Sequence, residues 1–407
     1  MRRTFTAAMI VTAVFLRPSV GSGQTVLTLE GALDRAREHA PAILAARARI
    51  EEARGRLRGA AIWLRDNPVI ETLGGPRLKD HGAIADADVE VTQVFELGGR
   101  RGARIAGAEA GVAREAASSE DEARRLLRDV AAAFWRTVAA RERLRLLQTA
   151  EKVAADLERT TERRHQAGDI ADLDLNVARI AAARARSDRL ALEAGLAESV
   201  GELKVLLGME PGEPVVARGE LGPGVRYELS ALLAGIDDRP DLRALAAEAR
   251  EADADVRLGS GFTWPDVGLR LGYQRDEQNN IPLAGFTLTL PVFSRGQELQ
   301  ATGAARAHRL RLELAASRRA AEIEIRSAFE TYQRRLEAVQ ELEQRAVPGL
   351  DDNENLALRS YEERHISLPE FLLLRRESLT TRAEYIDRQL DAAVATIELQ
   401  SRAGVLR

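Results

Sequence analysis

The sequence predicts a mainly α protein built from very long helices, with a small β part. Two observations lead there. The 407 residues are only 4% aromatic but 30% charged, which is thin material for several compact cores and suits helices packed side by side. The stretch "VEVTQVFELGGRRGARIAGAEA" (89–110) alternates like a strand up to Leu97, with Val89, Val91, Gln93 and Phe95 on one side. After Gly98-Gly99 it becomes an alanine-rich helix with no stop signal for about sixty residues.

The chain opens on "MRRTFTAAMIVTAVFLRPSVGSGQ", with Arg2-Arg3, an apolar run from Ala7 to Leu16, and small residues from Ser19 to Gly23. This reads as an export signal over 1–23, because a run of about ten apolar residues is too short for a membrane helix. The formal net charge is -4, and removal of Arg2, Arg3 and Arg17 makes it more negative, which argues against nucleic acid as a partner. There is no cysteine, so disulfides, thiolate metal sites and a lipid anchor on cysteine are excluded.

The sequence then repeats itself. "HAPAILAARARIEEARGRLRGA" (39–60) resembles "DRPDLRALAAEAREADADVRLGS" (238–260), and "NPVIETLGG" (67–75) pairs with "WPDVGLRLGYQ" (264–274). "VTQVFELGGRRGAR" (91–104) pairs with "LTLPVFSRGQELQA" (288–301), and "QAGDIADLDLNVAR" (166–179) with "ERHISLPEFLLLRR" (363–376), all at an offset of about 197. One unit is used twice, over 24–208 and 229–407, with a Gly/Pro-rich irregular connector over 209–228.

Each unit reads as helix, strand, strand, long helix, turn, helix. The first helix covers about 30–63, with Thr28 as its cap. A β-hairpin follows over 67–97, with strands at about 67–74 and 88–97, and then helices over about 101–166 and 172–207. The second unit has a helix over 229–259 and a β-hairpin over 265–293, with strands at 265–274 and 284–293. It ends with a helix over 297–364, broken at Pro348-Gly349, and one over 369–403.

The strands are eight to ten residues long, roughly the length that crosses a bilayer in a tilted β-barrel. "FTLTLPVF" puts Phe286, Leu288, Leu290 and Val292 on one face. Four strands cannot close a barrel alone, so copies of the chain would have to pool them. Two soluble hairpins capping a helical bundle explain the strand pattern equally well. The helix after Gly99 spans on the order of 100 Å, about twice its neighbours, which suits a layered cylinder rather than a globule. Its apolar residues Leu127, Val130, Phe134, Val138 and Leu144 recur at helical spacing.

No reaction chemistry is visible. His39, His81, His165, His308 and His365 are scattered without ligand spacing, and there is no phosphate-binding or nucleophile-elbow motif. The chain therefore reads as a non-enzyme with no cofactor and no metal site.

The order of parts resembles the TolC-type outer-membrane efflux proteins along nearly the whole mature chain. The most specific segments are the exits "QVFELGGRRGAR" and "LPVFSRGQELQATGAARA" and the turns "GDIADLDLNVAR" and "SYEERHISLPEF". The exit pair is similar to the heavy-metal efflux branch. The resemblance implies a homotrimer in the outer membrane, reaching into the periplasm. Its twelve-stranded barrel would stand on a coiled-coil helical tunnel docked on a periplasmic adaptor and an inner-membrane pump of the RND type. Gly98, Gly99 and Gly296 would be the strand-to-helix joints, and Phe286, Leu288 and Leu290 would face lipid. A constricted gate is expected at the inner end, where Asp174, Tyr361 and Glu370 match the family's positions. Arg364 falls where glycine is usual, and Asp172 reads as a helix-end acid beside the gate. Metal ions, drugs or an exported polypeptide, as in type I secretion, could each use such a conduit. The rival readings are a periplasmic adaptor and a helical scaffold.

Overall fold

The computed structural model describes residues 25–80, 82–222, 225–276 and 279–406, so the expected leader over 1–23 lies outside the described residues. The elements in order are β1 (Thr25–Leu27), α1 (Leu29–His39), α2 (Pro41–Ala60), β2 (Val69–Lys79), β3 (Gly82–Phe95), α3 (Arg100–Gln166) and α4 (Asp172–Leu206). There follow β4 (Val215–Ala217), α5 (Leu229–Ala234), α6 (Pro240–Gly261), β5 (Asp266–Asp276) and β6 (Asn279–Thr289). The chain ends with α7 (Gln297–Arg345), α8 (Leu350–Glu362) and α9 (Leu368–Arg402).

Several expected boundaries move, and prolines account for most of the shifts. The single helix expected over 30–63 is two, because Ala40 before Pro41 is extended (φ -62, ψ 129), the conformation a following proline favours. The helix expected over 229–259 splits likewise before Pro240, with a 3-10 turn at Ile236–Asp238. The break at Pro348-Gly349 is present as a 3-10 turn over Val347–Gly349. The hairpins are shifted outward, running over 69–95 and 266–289 instead of 67–97 and 265–293. Pro68, Pro265 and Pro291 lack the N–H that would extend the ladders inward. Leu290, expected on the lipid-facing strand, therefore lies just beyond β6.

The four long strands form one antiparallel sheet in the order β2-β3-β5-β6. Gly74-Gly75-Pro76 looks like a turn in sequence but lies inside β2, and Pro282 lies inside β6. Both prolines are in edge strands, where a missing N–H is tolerated. The connector over 209–228 is not wholly irregular, since its β4 pairs in parallel with β1.

α3 has 67 residues and so runs about 100 Å. It packs against α2 and α6 near the sheet and against α4 and α9 further on. Alanine lets these helices approach closely, and arginine-carboxylate pairs lace their flanks. Arg136 meets Glu202 at 2.9 Å across α3 and α4, and Arg306 meets Glu248 at 3.0 Å across α6 and α7. Exposed pairs of this kind are worth about 0–1 kcal/mol each, so they set register more than stability.

The main core sits at mid-height. Val130 and Phe134 of α3 are buried there with Leu203 and Leu207, under the small β1-β4 sheet. The end of α9 is tied to this belt, where Arg124 donates to the Ser401 carbonyl (2.8 Å) and buried Arg239 to that of Arg402 (3.1 Å).

Candidate functional site

Three zones along the molecule carry the features of a conduit. In the first, the sheet has two unlike faces. Residues opposite one another in an antiparallel ladder share a face, so the register groups Phe95 with Val267 and Leu288, and Gln93 with Leu269 and Phe286. The next rows on that face join Ile70, Val91, Leu271 and Ala284, then Thr72, Val89, Tyr273 and Pro282. This face is almost wholly apolar and is open, with Phe286 78% exposed. The other face carries Glu71, Asp86, Asp88, Glu90, Thr92, Arg270 and Asp276. On it, Arg77 bridges Asp86 (2.8 Å) and Asp276 (2.7 Å), and Arg270 meets Glu90 at 2.7 Å. One side is suited to lipid and the other to water, while the outer edges of β2 and β6 have no strand partner among the described residues.

The second zone is where the sheet meets the helices. Gly98 and Gly99 (φ 71 and 72) precede α3, and Gly296 (φ 75) precedes α7, all in the left-handed region that glycine enters without a side-chain penalty. Two of them are also tightly packed. A Cβ on Gly98 would come within 2.6 Å of the Gly261 carbonyl and 2.7 Å of Trp264, and one on Gly296 would meet the Gly259 backbone. Gly259-Ser260-Gly261 at the end of α6 is thus the socket for both exits. Sequence reasoning missed this role, and its visible trace is the pair of glycines closing an otherwise regular helix. Arg100, 4% exposed, adds a tie by pairing with Asp266 at the start of β5, donating to the Leu97 carbonyl (3.2 Å) and lying over the Phe262 ring. Burial lowers its pKa from the ordinary arginine value.

The third zone is the far end of the helices. The α3-α4 and α8-α9 turns have the same hydrogen-bond pattern. Gly168 N donates to His165 O and Asp169 N to Arg164 O, both at 2.9 Å. Correspondingly, Arg364 N donates to Tyr361 O (3.1 Å) and His365 N to Ser360 O (2.7 Å). Both are helix stops with a left-handed residue, Gly168 at φ 79 and Arg364 at φ 64. The two tips meet in a cluster of Ala178 and Val177 with Tyr361, Leu368 and Phe371, in which the Tyr361 and Phe371 rings stack at 5.3 Å.

The candidate gate residues fare differently. Asp172 is exposed and bonded to His165 Nε2 at 2.6 Å, a partner that sequence reasoning did not anticipate. Glu370 is engaged in a capping box: its Oε2 accepts from Ser367 N (2.7 Å) and Ser367 Oγ (2.8 Å). Those bonds hold its carboxyl below the ordinary glutamate range. Asp174 is partly exposed in the first turn of α4 and has no ion-pair partner among the described residues. Arg364 is exposed and does not pair with these acids. Among the described residues no group of His, Asp or Glu is arranged to hold a metal ion, and no helix is long and apolar enough to cross a membrane.

Comparison with known proteins agrees with this arrangement. Residues 32–209 match the family model for outer membrane efflux protein. The chain is 26% identical to the cobalt-zinc-cadmium resistance protein CzcC of Cupriavidus metallidurans over 378 residues, covering 92% of this chain and 88% of that protein. It is 29% identical to the nickel-cobalt-cadmium resistance protein NccC of Alcaligenes xylosoxydans xylosoxydans over 300 residues, 69% of this chain and 66% of that one. Its fold matches the solved structure of CusC, described for transmembrane channel formation, with a TM-score of 0.77 over 99% of this chain and 98% of that one at 17% identity. Sheet, joints and long helices agree with these relatives: residues 32–209 match the outer membrane efflux protein family, and the chain as a whole has the fold of solved outer-membrane channels.

Proposed function

We propose that three copies of this chain form a passive conduit for heavy-metal cations, handed over by a periplasmic adaptor and an inner-membrane pump of the RND type. The observation that carries this reading is the two-faced sheet with two open edges. Unpaired strand edges are not tolerated in lipid, so β6 of one copy must find β2 of the next. Four strands from each of three copies give twelve. The charged face then lines the bore, where acids outnumber Arg77 and Arg270 among the described residues and favour cations. The names of CzcC and NccC, which cite cobalt, zinc, nickel and cadmium, support a metal cargo.

The helices would continue the bore through the periplasm. They are organised as two like units, 24–208 and 229–407, joined by 209–228. At the inner end Asp174 and Tyr361 would narrow the passage, with Asp172, Arg364 and Glu370 shaping the turns around it. An adaptor has a surface to use there, a groove of about 590 Å³ between α3, α8 and α9 lined by Val153, Glu354, Phe371, Arg375 and Ser378. The test is to extract the outer-membrane fraction in detergent, measure mass by light scattering and by unheated gel, and reconstitute it in a planar bilayer. A particle of three chain masses that conducts cations, together with cobalt, zinc or cadmium accumulation in cells lacking the chain, supports the reading. A soluble, non-conducting monomer overturns it.

A further inference from the structure

The first inner turn carries a contact that the conduit reading does not use. Gly168 N donates to His165 O just as Arg364 N donates to Tyr361 O, so His165 holds in the first turn the place that Tyr361 holds in the second. Tyr361, the candidate gate aromatic, is stacked on Phe371. His165 instead reaches across its turn, from the end of α3 to the first residue of α4, and meets Asp172 with Nε2 2.6 Å from Oδ1. Six residues and a turn separate the two, so no short ligand spacing shows in the sequence. Histidine is scarce here, five in 407 residues. His39 and His365 also lie near carboxylates, Glu38 at 3.6 Å and Glu363 at 3.4 Å, but these are close neighbours in sequence. Among the described residues, only the His165 pair is at hydrogen-bond distance and joins two helices.

The two side chains differ in freedom. Exposure is 33% for the His165 side chain and 89% for that of Asp172, so the ring is partly held while the carboxylate is free to turn. A zinc ion about 2.1 Å from both a ring nitrogen and a carboxylate oxygen needs those atoms about 3 Å apart. The pair therefore has to open by only about 0.4 Å to admit one. The ion takes the Nε2 lone pair of the neutral imidazole, whose proton then sits on Nδ1. Imidazole beside carboxylate suits zinc and nickel, whereas magnesium prefers oxygen ligands and keeps much of its water. No three such side chains gather among the described residues. Two ligands bind weakly, and weak binding lets an ion leave as readily as it enters, which a conduit requires.

We propose that His165 and Asp172 form a transient contact point for divalent transition-metal cations at the inner mouth, favouring them over magnesium. The inference rests on the heavy-metal conduit reading and adds the side chains that meet the cargo. The test uses the full protein in detergent-extracted assemblies that conduct in a planar bilayer. Each histidine is labelled with diethyl pyrocarbonate and read by mass spectrometry, with zinc chloride or magnesium chloride present at equal concentration. Zinc should slow labelling of His165 several-fold relative to magnesium and leave His308, exposed on α7, unchanged. Asp172→Asn should remove that difference. In the bilayer, zinc on the inner side should cause brief current interruptions that magnesium does not, and His165→Gln should make them several-fold rarer. Equal labelling of His165 in zinc and in magnesium would overturn the contact point. Protection that survives Asp172→Asn, or that falls equally on His308, would mark adventitious surface binding and overturn it too. Those outcomes in a conducting assembly leave the conduit standing. A preparation that neither assembles nor conducts would overturn the conduit reading itself, and the contact point with it.

Discussion

Arg364 is the one non-glycine residue with positive φ among the described residues, and it occupies the position that Gly168 holds in the other turn. A side chain in this conformation costs about 1–2 kcal/mol, so Arg364→Gly should stabilise the turn by roughly 1 kcal/mol. Slower amide hydrogen exchange over 363–367 would report it. Gly168→Arg should do the reverse. Ser367→Ala removes an N-cap and should cost about 1 kcal/mol. The same change should let the Glu370 carboxyl return toward its ordinary range. Because the folded-state pKa of Glu370 is depressed by Ser367, its contribution is present above the unfolded pKa and lost as pH falls through the lowered folded value. Tip protection measured against pH should therefore fade below the ordinary carboxylate range in the wild type, show a weaker dependence in Ser367→Ala, where the backbone N–H of residue 367 still donates, and lose it in Glu370→Gln. Asp174, free of ion pairs among the described residues, is the candidate gate acid with no partner to neutralise it. Asp174→Ala should change conductance and weaken cation preference while leaving assembly intact, and an unchanged single-channel record would remove it from the gate.

At the scale of elements, the joints and the sheet make separable predictions. Gly98→Ala and Gly99→Ala both place a Cβ at positive φ, but only at Gly98 does that Cβ run into Gly261 and Trp264, Gly99 having open space. Gly99→Ala should cost about 1 kcal/mol, as expected for backbone strain alone. Gly98→Ala and Gly259→Val should displace a strand exit from its socket and sharply reduce assembled protein on an unheated gel. On the sheet, Phe286→Asp or Leu288→Asp would set a charge on the apolar face, which a lipid-facing strand does not tolerate at depth. Normal assembly by both variants would contradict the lipid assignment of that face. Thr287→Asp, one residue away on the charged face, should be accepted, because the period of two turns it to the other side.

For the whole molecule, the length of α3 against its neighbours dictates the design. A helix of about 100 Å can be covered only by several shorter ones laid end to end, and α2, α6, α4 and α9 do this. The mid-height belt holds the α9 end in register through Arg124 and Arg239. Arg239 is buried and also donates to Asp241 Oδ2 at 2.7 Å. Burial pushes the Asp241 pKa up, but the hydrogen bond and charge of Arg239, with the Arg124 charge and the Leu242 N–H, together outweigh it and leave the carboxyl below its ordinary range. Arg239→Ala should then destabilise the protein by about 2–3 kcal/mol, the range for losing charged hydrogen bonds, as read by a lower urea midpoint.

The sequence alone determined the helix-strand-strand-helix order, the long helix after Gly99 and the membrane-like alternation of the strands, because these depend on periodicity and on glycine and proline within a few neighbours. It also carried the family resemblance, through the exits and turns that flank those elements. Only the tertiary structure decided the rest. It split two helices at Pro41 and Pro240, kept Pro76 and Pro282 inside edge strands, and left Leu290 outside β6. It also paired β1 with β4, bonded Asp172 to His165, and seated both exits on Gly259 and Gly261. The two splits have a local cause in their prolines, and the others depend on which backbone or side chain comes within a few ångströms once the chain has folded, distances that local sequence does not encode.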